Sequence, residues 1–222
     1  MNPTLRRVIT ILLILVTPFF LMLTAVRVLF TPLYLVVEYR MPGFPADTYG
    51  FSMQDRMKWA GISMEYLLND SDISFLANQR LPDGQPLYNE RELSHMVDVK
   101  NVLQGALGVW GILLLVYIGL GFWAWRGDWL KDYFQALSRG SVLTMVLIAF
   151  ILLGVAISFY QLFTLFHKLF FVGDSWQFAY SDTLIRLFPL RFWSDGFILM
   201  GVVTILGAIA FILVNKRVQK RA

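Results

Sequence analysis

A membrane-embedded all-α protein with four transmembrane helices is the fold class this sequence predicts, and three observations predict it. Hydrophobic residues make up 57% of the 222-residue chain and charged residues only 15%, a balance of membrane proteins rather than soluble ones. Four stretches, about 8–30, 102–125, 141–166 and 196–214, are each long and apolar enough to cross a hydrocarbon core, which takes about 20 residues of helix. The charges also alternate between the connections. Arg6, Arg7, Arg126, Lys131, Arg139, Lys216, Arg217, Lys220 and Arg221 are nine of the 19 basic residues and fall in 1–7, 126–140 and 215–222, whereas 13 of the 15 acidic residues fall elsewhere. Lys and Arg concentrate on the cytoplasmic side, so both termini are expected there. Residues 31–101 and 164–195 are then expected to form a small extracytoplasmic cap on a single membrane domain spanning residues 1–222. The net charge of +4 reports this topology and gives no sign of a nucleic-acid partner.

The first apolar stretch follows Arg6 and Arg7, as a signal peptide would. It is longer than the ~7–15 residues of a signal core, and "TAVRVLFTP" offers no small-residue cleavage site, so a retained helix is expected. Next, "TPLYLVVEYRMPGFP" carries β-branched and aromatic residues ahead of a Pro/Gly cluster, which predicts a short extended piece. "FSMQDRMKWAGISMEYLLND" has Phe51, Met53, Met57, Ala60, Met64, Leu67 and Leu68 at near-helical spacing, predicting an amphipathic helix on the membrane surface or over the bundle. The turn signals "NDSD" and "LPDGQP" flank a short apolar stretch around Ile73 to Leu76. Asn89, with Glu92 three residues on, has capping-box spacing, and no breaker follows. One helix of about 90–125 is expected, its charged stalk continuing into the second span. In the last outer segment, "SDTLIRLFP" predicts a short helix capped by Ser181 or Asp182 and stopped by Pro189. The aromatics there, including Trp176, suit a lipid–water interface.

The chain has no cysteine, which excludes disulfides, thiolate metal sites and a cysteine nucleophile. A transporter is disfavoured because ionisable residues are missing from the middle of the four spans.

Only two histidines are present. At 100° per residue, His95 shares a helix face with Glu92 and Asp98, one turn to either side. A carboxylate there would orient the ring and raise its basicity, as a general base needs. The same spacing fits a solvated charged face, and a metal site built from His95, Asp98 and His167 is a third reading, although no H-E-x-x-H spacing supports it. His167 closes the third span. Counting ~1.5 Å per residue up two antiparallel helices puts the histidines within ~6 Å of one level at the outer face. Tyr160 and Thr164 offer hydroxyls below them. Asp182 suits capping as well as catalysis, and Arg56 and Arg186 suit surface charges as well as binding of anionic or ester oxygens of a lipid head group.

The blocks "YGFSMQDRMKWAGISMEYLL", "YNERELSHMVDVKNVL" and "FHKLFFVGDSWQFAYSDTLIRLFPLRFWSDG" resemble the bacterial lipoprotein intramolecular transacylase family of four-span membrane proteins, over nearly the whole chain. The resemblance implies transfer of the sn-2 acyl chain of a diacylglyceryl lipoprotein to the α-amino group of its own N-terminal cysteine, without a cofactor. It implies His95 and His167 as the paired functional histidines, His95 steered by Glu92 or Asp98. Tyr160, Thr164, Arg56, Asp182, Arg186 and Trp176 are the candidates for contact with the lipoprotein and membrane lipid. The expected location is the bacterial cytoplasmic membrane, with the site on its extracytoplasmic face. A non-enzymatic scaffold or sensor, with an outer cap that binds a partner and His95 responding to pH, is the alternative.

Overall fold

A computed structural model describes residues 2–220; Arg221, counted above in the C-terminal basic cluster, lies outside them. The described residues form helices, turns and one isolated bridge, between Arg80 and Pro86. Four helices are long and apolar enough to cross a membrane: α1 (Pro3–Leu29), α5 (Glu90–Arg126), α6 (Leu130–Phe170) and α8 (Leu190–Lys220). Four short ones lie between them in sequence: α2 (Pro32–Glu38), α3 (Met53–Leu68), α4 (Ser74–Ala77) and α7 (Thr183–Leu187). The protein is an all-helical, membrane-integral one.

The chain divides into two compact units. The first comprises residues up to 28, 107–156 and from 198 onward. Its core holds Leu13, Phe20, Leu21, Tyr117, Trp129, Tyr133 and Leu137. Apolar surroundings make an unpaired polar group costly, and the core tyrosines are paired accordingly. Tyr117 Oη lies 3.0 Å from Thr17 Oγ1, and Tyr133 Oη donates to the Tyr117 carbonyl at 2.9 Å. The Phe20 ring stacks on Tyr117 at 4.4 Å. Helices α1 and α6 touch at Gly140, where an added Cβ would lie 2.6 Å from Thr17 Cβ and 2.9 Å from the Ile14 carbonyl oxygen. Pro18 lacks the N–H that this carbonyl would accept in an unbroken helix. Large side chains such as Leu15, Phe19, Leu115, Phe122 and Phe150 are exposed, as lipid-facing residues are.

The second unit comprises residues 29–106 and 157–197. Here α3 packs on α2, α4 and α7. Its N-terminus is a capping box: Ser52 Oγ accepts from Asp55 N while Asp55 accepts from Ser52 N. Its far end is tied to α5 by Lys100, whose ammonium donates to the Ser71 carbonyl and lies 4.1 Å from the Tyr66 ring centroid. Tyr34 and Tyr39 donate to the carbonyls of Phe192 and Leu187, each at 2.6 Å.

Two elements depart from the sequence reading. The stretch expected to be extended is the helix α2: Pro32 sits at its start after an extended Thr31, and Tyr34, Leu35 and Glu38 share one buried face. Burial of that face outweighs the β-preference of Val36 and Val37. The third long helix is also interrupted, with Ser158 in an extended conformation.

Gly140→Ala is expected to force the α1–α6 contact apart and destabilise the protein by about 1–3 kcal/mol. Thermal unfolding in detergent reads this directly, with Gly105→Ala as the control, since an added Cβ there meets nothing within 4 Å.

Candidate functional site

The site is built within the second unit, from the charged stalk of α5 upward. Asn89 Oδ1 accepts from Glu92 N at 3.0 Å while Glu92 Oε2 accepts from Asn89 N at 2.8 Å, a reciprocal cap at the start of α5. The other Glu92 oxygen, Oε1, accepts from Leu184 N at 2.7 Å, in the first turn of α7. Thr183 Oγ1 donates to the Leu87 carbonyl alongside. Glu92 is 1% exposed, so one sealed carboxylate ties the N-termini of two helices together. Burial pushes its carboxyl above the ordinary range, against the opposing pull of the backbone N–H groups. Both oxygens are thus committed to backbone.

One turn on, His95 is buried, and its Nδ1 is sealed from solvent with no hydrogen-bond partner. Neither Glu92 nor Asp98 is hydrogen-bonded to it, so the expected carboxylate–imidazole steering is missing. Aromatic rings surround it instead: Phe171 and Phe178 pack edge-on at 4.9 and 5.4 Å. His95 precedes the apolar stretch of α5, and burial, with the neighbouring imidazole of His167 second, pushes it down to about 4.

His167 lies 6.0 Å from His95 between ring centroids, the planes inclined by 25°. The two histidines therefore meet. The His167 Nδ1 is 2.8 Å from the Phe163 carbonyl oxygen. A carbonyl can only accept, so Nδ1 carries the proton, and the lone pair of the neutral ring is on Nε2. Phe163, Trp176 and Phe171 enclose this ring at 4.0, 4.8 and 5.4 Å. Phe171 touches both imidazoles.

The remaining candidates separate into two groups. Trp176 belongs to the histidine cluster, and Thr164, one turn before His167, has a buried Oγ1 without a hydrogen-bond partner. Tyr160 is 66% exposed and contributes nothing to the cluster. Asp182 accepts from Ala179 N and from the Asn89 amide, so its carboxylate serves the loop. Arg186 makes a two-point contact with Asp47, at 3.0 and 3.1 Å. This pairing holds the Asp47 carboxyl below its usual range in spite of burial. Arg56 is 3% exposed, donates to the Pro45 carbonyl and lies over the rings of Tyr39 and Phe44, while its Nε has no partner. Both arginines line a cavity of about 260 Å³ that shares no lining residue with the histidine cluster. Among the described residues no three His, Asp or Glu side chains gather as a metal site would.

Sequence reasoning put Phe163 and Phe171 on the His167 face but did not tie any of Phe163, Phe171 and Phe178 to the two histidines as walls of one cluster. Phe163 and Phe171 stand four residues to either side of His167, so helical spacing was a usable signal; Phe178 had none.

A family model for the lipoprotein intramolecular transacylase Lit matches residues 9–193. This chain belongs to that family. An intramolecular transacylase is an acyltransferase. A curated protein of Aquifex aeolicus (strain VF5), described as uncharacterised, is 28% identical over 201 residues, 90% of each chain. The structure of the membrane-integral lipoprotein intramolecular transacylase Lit from Bacillus cereus is similar with a TM-score of 0.77 at 21% identity, covering 99% of this chain and 98% of that one. A structure of the same B. cereus protein with one histidine replaced by arginine gives 0.68 at 19% identity, covering 98% and 93%. At these identities the likeness establishes the shared fold.

Glu92→Gln sets an amide N–H against one of two buried backbone donors, and is expected to cost about 1–3 kcal/mol in unfolding measurements. In protein labelled with 15N-histidine, the His95 signals, assigned by their loss in His95→Asn, are expected to titrate near pH 4, not near 6.5. The neutral ring is the folded form, so its contribution to stability is present above pH 6.5 and is lost as pH falls toward 4.

Proposed function

We propose that this protein moves the sn-2 acyl chain of a diacylglyceryl lipoprotein onto the α-amino group of the same molecule's N-terminal cysteine, leaving a lyso-form lipoprotein. The observation that carries this reading is the meeting of the only two histidines in one aromatic enclosure, 6.0 Å apart between ring centroids. The family supplies the reaction class; the chemistry follows from the rings.

The amine nitrogen attacks the ester carbonyl carbon, the carbon–oxygen bond to the glycerol breaks, and one proton passes from nitrogen to that oxygen. An amide replaces an ester, so no nucleotide is required. Nucleophile and ester belong to one substrate, which leaves the protein to orient them and move the proton. The hydrogen bond from His167 Nδ1 to Phe163 supports His167 as the base, with Nε2 receiving the amine proton. His95, held neutral by burial, then donates its N–H to the tetrahedral oxyanion, and His167 hands the proton it took from the amine to the leaving oxygen. The rings of Phe163, Phe171, Phe178 and Trp176 keep water from the ester. Thr164 is a further donor for substrate oxygens. The distribution of Lys and Arg supports a four-span topology in the bacterial cytoplasmic membrane, with this cluster at the extracytoplasmic face.

The reading is tested in a bacterium unable to N-acylate its lipoproteins. Mass spectrometry of a lipoprotein N-terminal peptide is expected to show one O-acyl and one N-acyl chain with the wild type. His167→Ala is expected to abolish the N-acyl product, and His95→Ala to reduce it at least 100-fold. An N-acyl product surviving both substitutions would remove the histidine mechanism, and none from well-expressed wild type would remove the function.

A further inference from the structure

We propose that the cavity between the N-terminal three turns of α1 and of α6, in the first unit, holds the phosphate group of an anionic phospholipid. The helices touch at Thr17 and Gly140, and on the N-terminal side of that contact they line a space of about 230 Å³. One water needs only ~10–15 Å³ of such volume, so a phosphodiester fits with its hydration. Its polar walls are Arg6, Arg7, Thr10, Asp132, Gln135 and Arg139.

The charge in this space is unbalanced. Arg6 is paired with Asp132 at 3.1 Å, whereas Arg7 and Arg139 have no carboxylate partner among the described residues. Two guanidiniums facing one cavity repel each other. An anion between them removes that repulsion and accepts their fork-shaped donors, a match that phosphate oxygens make well. The neighbouring surface identifies the source of the phosphate. Ile11, one turn above Arg7 on α1, and Val142 and Val146, one and two turns beyond Arg139 on α6, are 46, 55 and 49% exposed, so acyl chains have an apolar wall beside the cationic cavity. A free anion would make no use of that wall. The site is independent of the histidine cluster and of the acyl transfer proposed for it.

Native mass spectrometry of the full-length protein in detergent tests the assignment, with 1-palmitoyl-2-oleoyl phosphatidylglycerol and the matching phosphatidylcholine as probes. Wild type is expected to retain phosphatidylglycerol about tenfold better, and Arg7→Gln/Arg139→Gln to erase the preference. Arg7→Lys/Arg139→Lys should keep most of it, and Lys216→Gln/Arg217→Gln, outside the cavity, should leave it unchanged. Equal retention of the two lipids, indifference to the Arg7/Arg139 substitutions, or an equal loss with the Lys216/Arg217 pair would overturn the proposal. Complete displacement of phosphatidylglycerol by a few millimolar inorganic phosphate would assign the site to a free anion and overturn the lipid. If the double Gln variant does not fold, Arg139→Gln alone is expected to lower the preference at least threefold.

Discussion

The buried carboxylate of Glu92 is the constraint on which the second unit depends. Two helices begin beside it, and each helix start leaves backbone N–H groups that water cannot reach there. A single acidic side chain satisfies both, with one oxygen on Asn89 N and the other on Leu184 N. The register of α5 is thereby fixed one turn before His95. The segment that carries Trp176 and Phe178 is anchored through α7 at the same point. Loss of this carboxylate would loosen the floor under one histidine and the wall around both.

What surrounds the imidazoles then decides their chemistry. In water a histidine is half-protonated near pH 6.5. Packed among phenyl and indole rings, with no carboxylate on either ring, the charged form loses hydration and gains nothing in return. The pair is therefore a source of neutral nitrogen bases at physiological pH. The Phe163 carbonyl does for His167 what a carboxylate does in many catalytic histidines of enzymes at large, fixing the tautomer, but adds no negative charge. A neutral orienter suits an aromatic enclosure, where a second buried ion would need its own partner.

The same economy of buried charge runs through the rest of the chain. Arg56 rests on aromatic faces, Lys100 on Tyr66 and a carbonyl, and Arg186 in the fork of Asp47. Each buried cation is matched by a carboxylate, a carbonyl or a ring face. Among the described residues, Arg7 and Arg139 are the cations of a shared cavity left without one.

The sequence by itself determined the helical class, the four apolar spans and the long α5, because span length, hydropathy and capping spacing are local properties that no packing partner can reverse. It also put the two histidines at one height, since helix rise is nearly constant. It left Glu92 open between the capping box with Asn89, which the structure has, and an imidazole partner in His95, one turn on. The competing claim on that carboxylate comes from Leu184, 92 residues away, and appears only once α7 is packed against α5. The helical α2 was hidden for a similar reason: Val36 and Val37 favour strands, and only the burial of Tyr34, Leu35 and Glu38 overrides them. The aromatic walls were visible as composition but not as an enclosure. Which ring faces which imidazole is a matter of tertiary contact, and that contact decides whether a histidine is a solvated surface group or a neutral base.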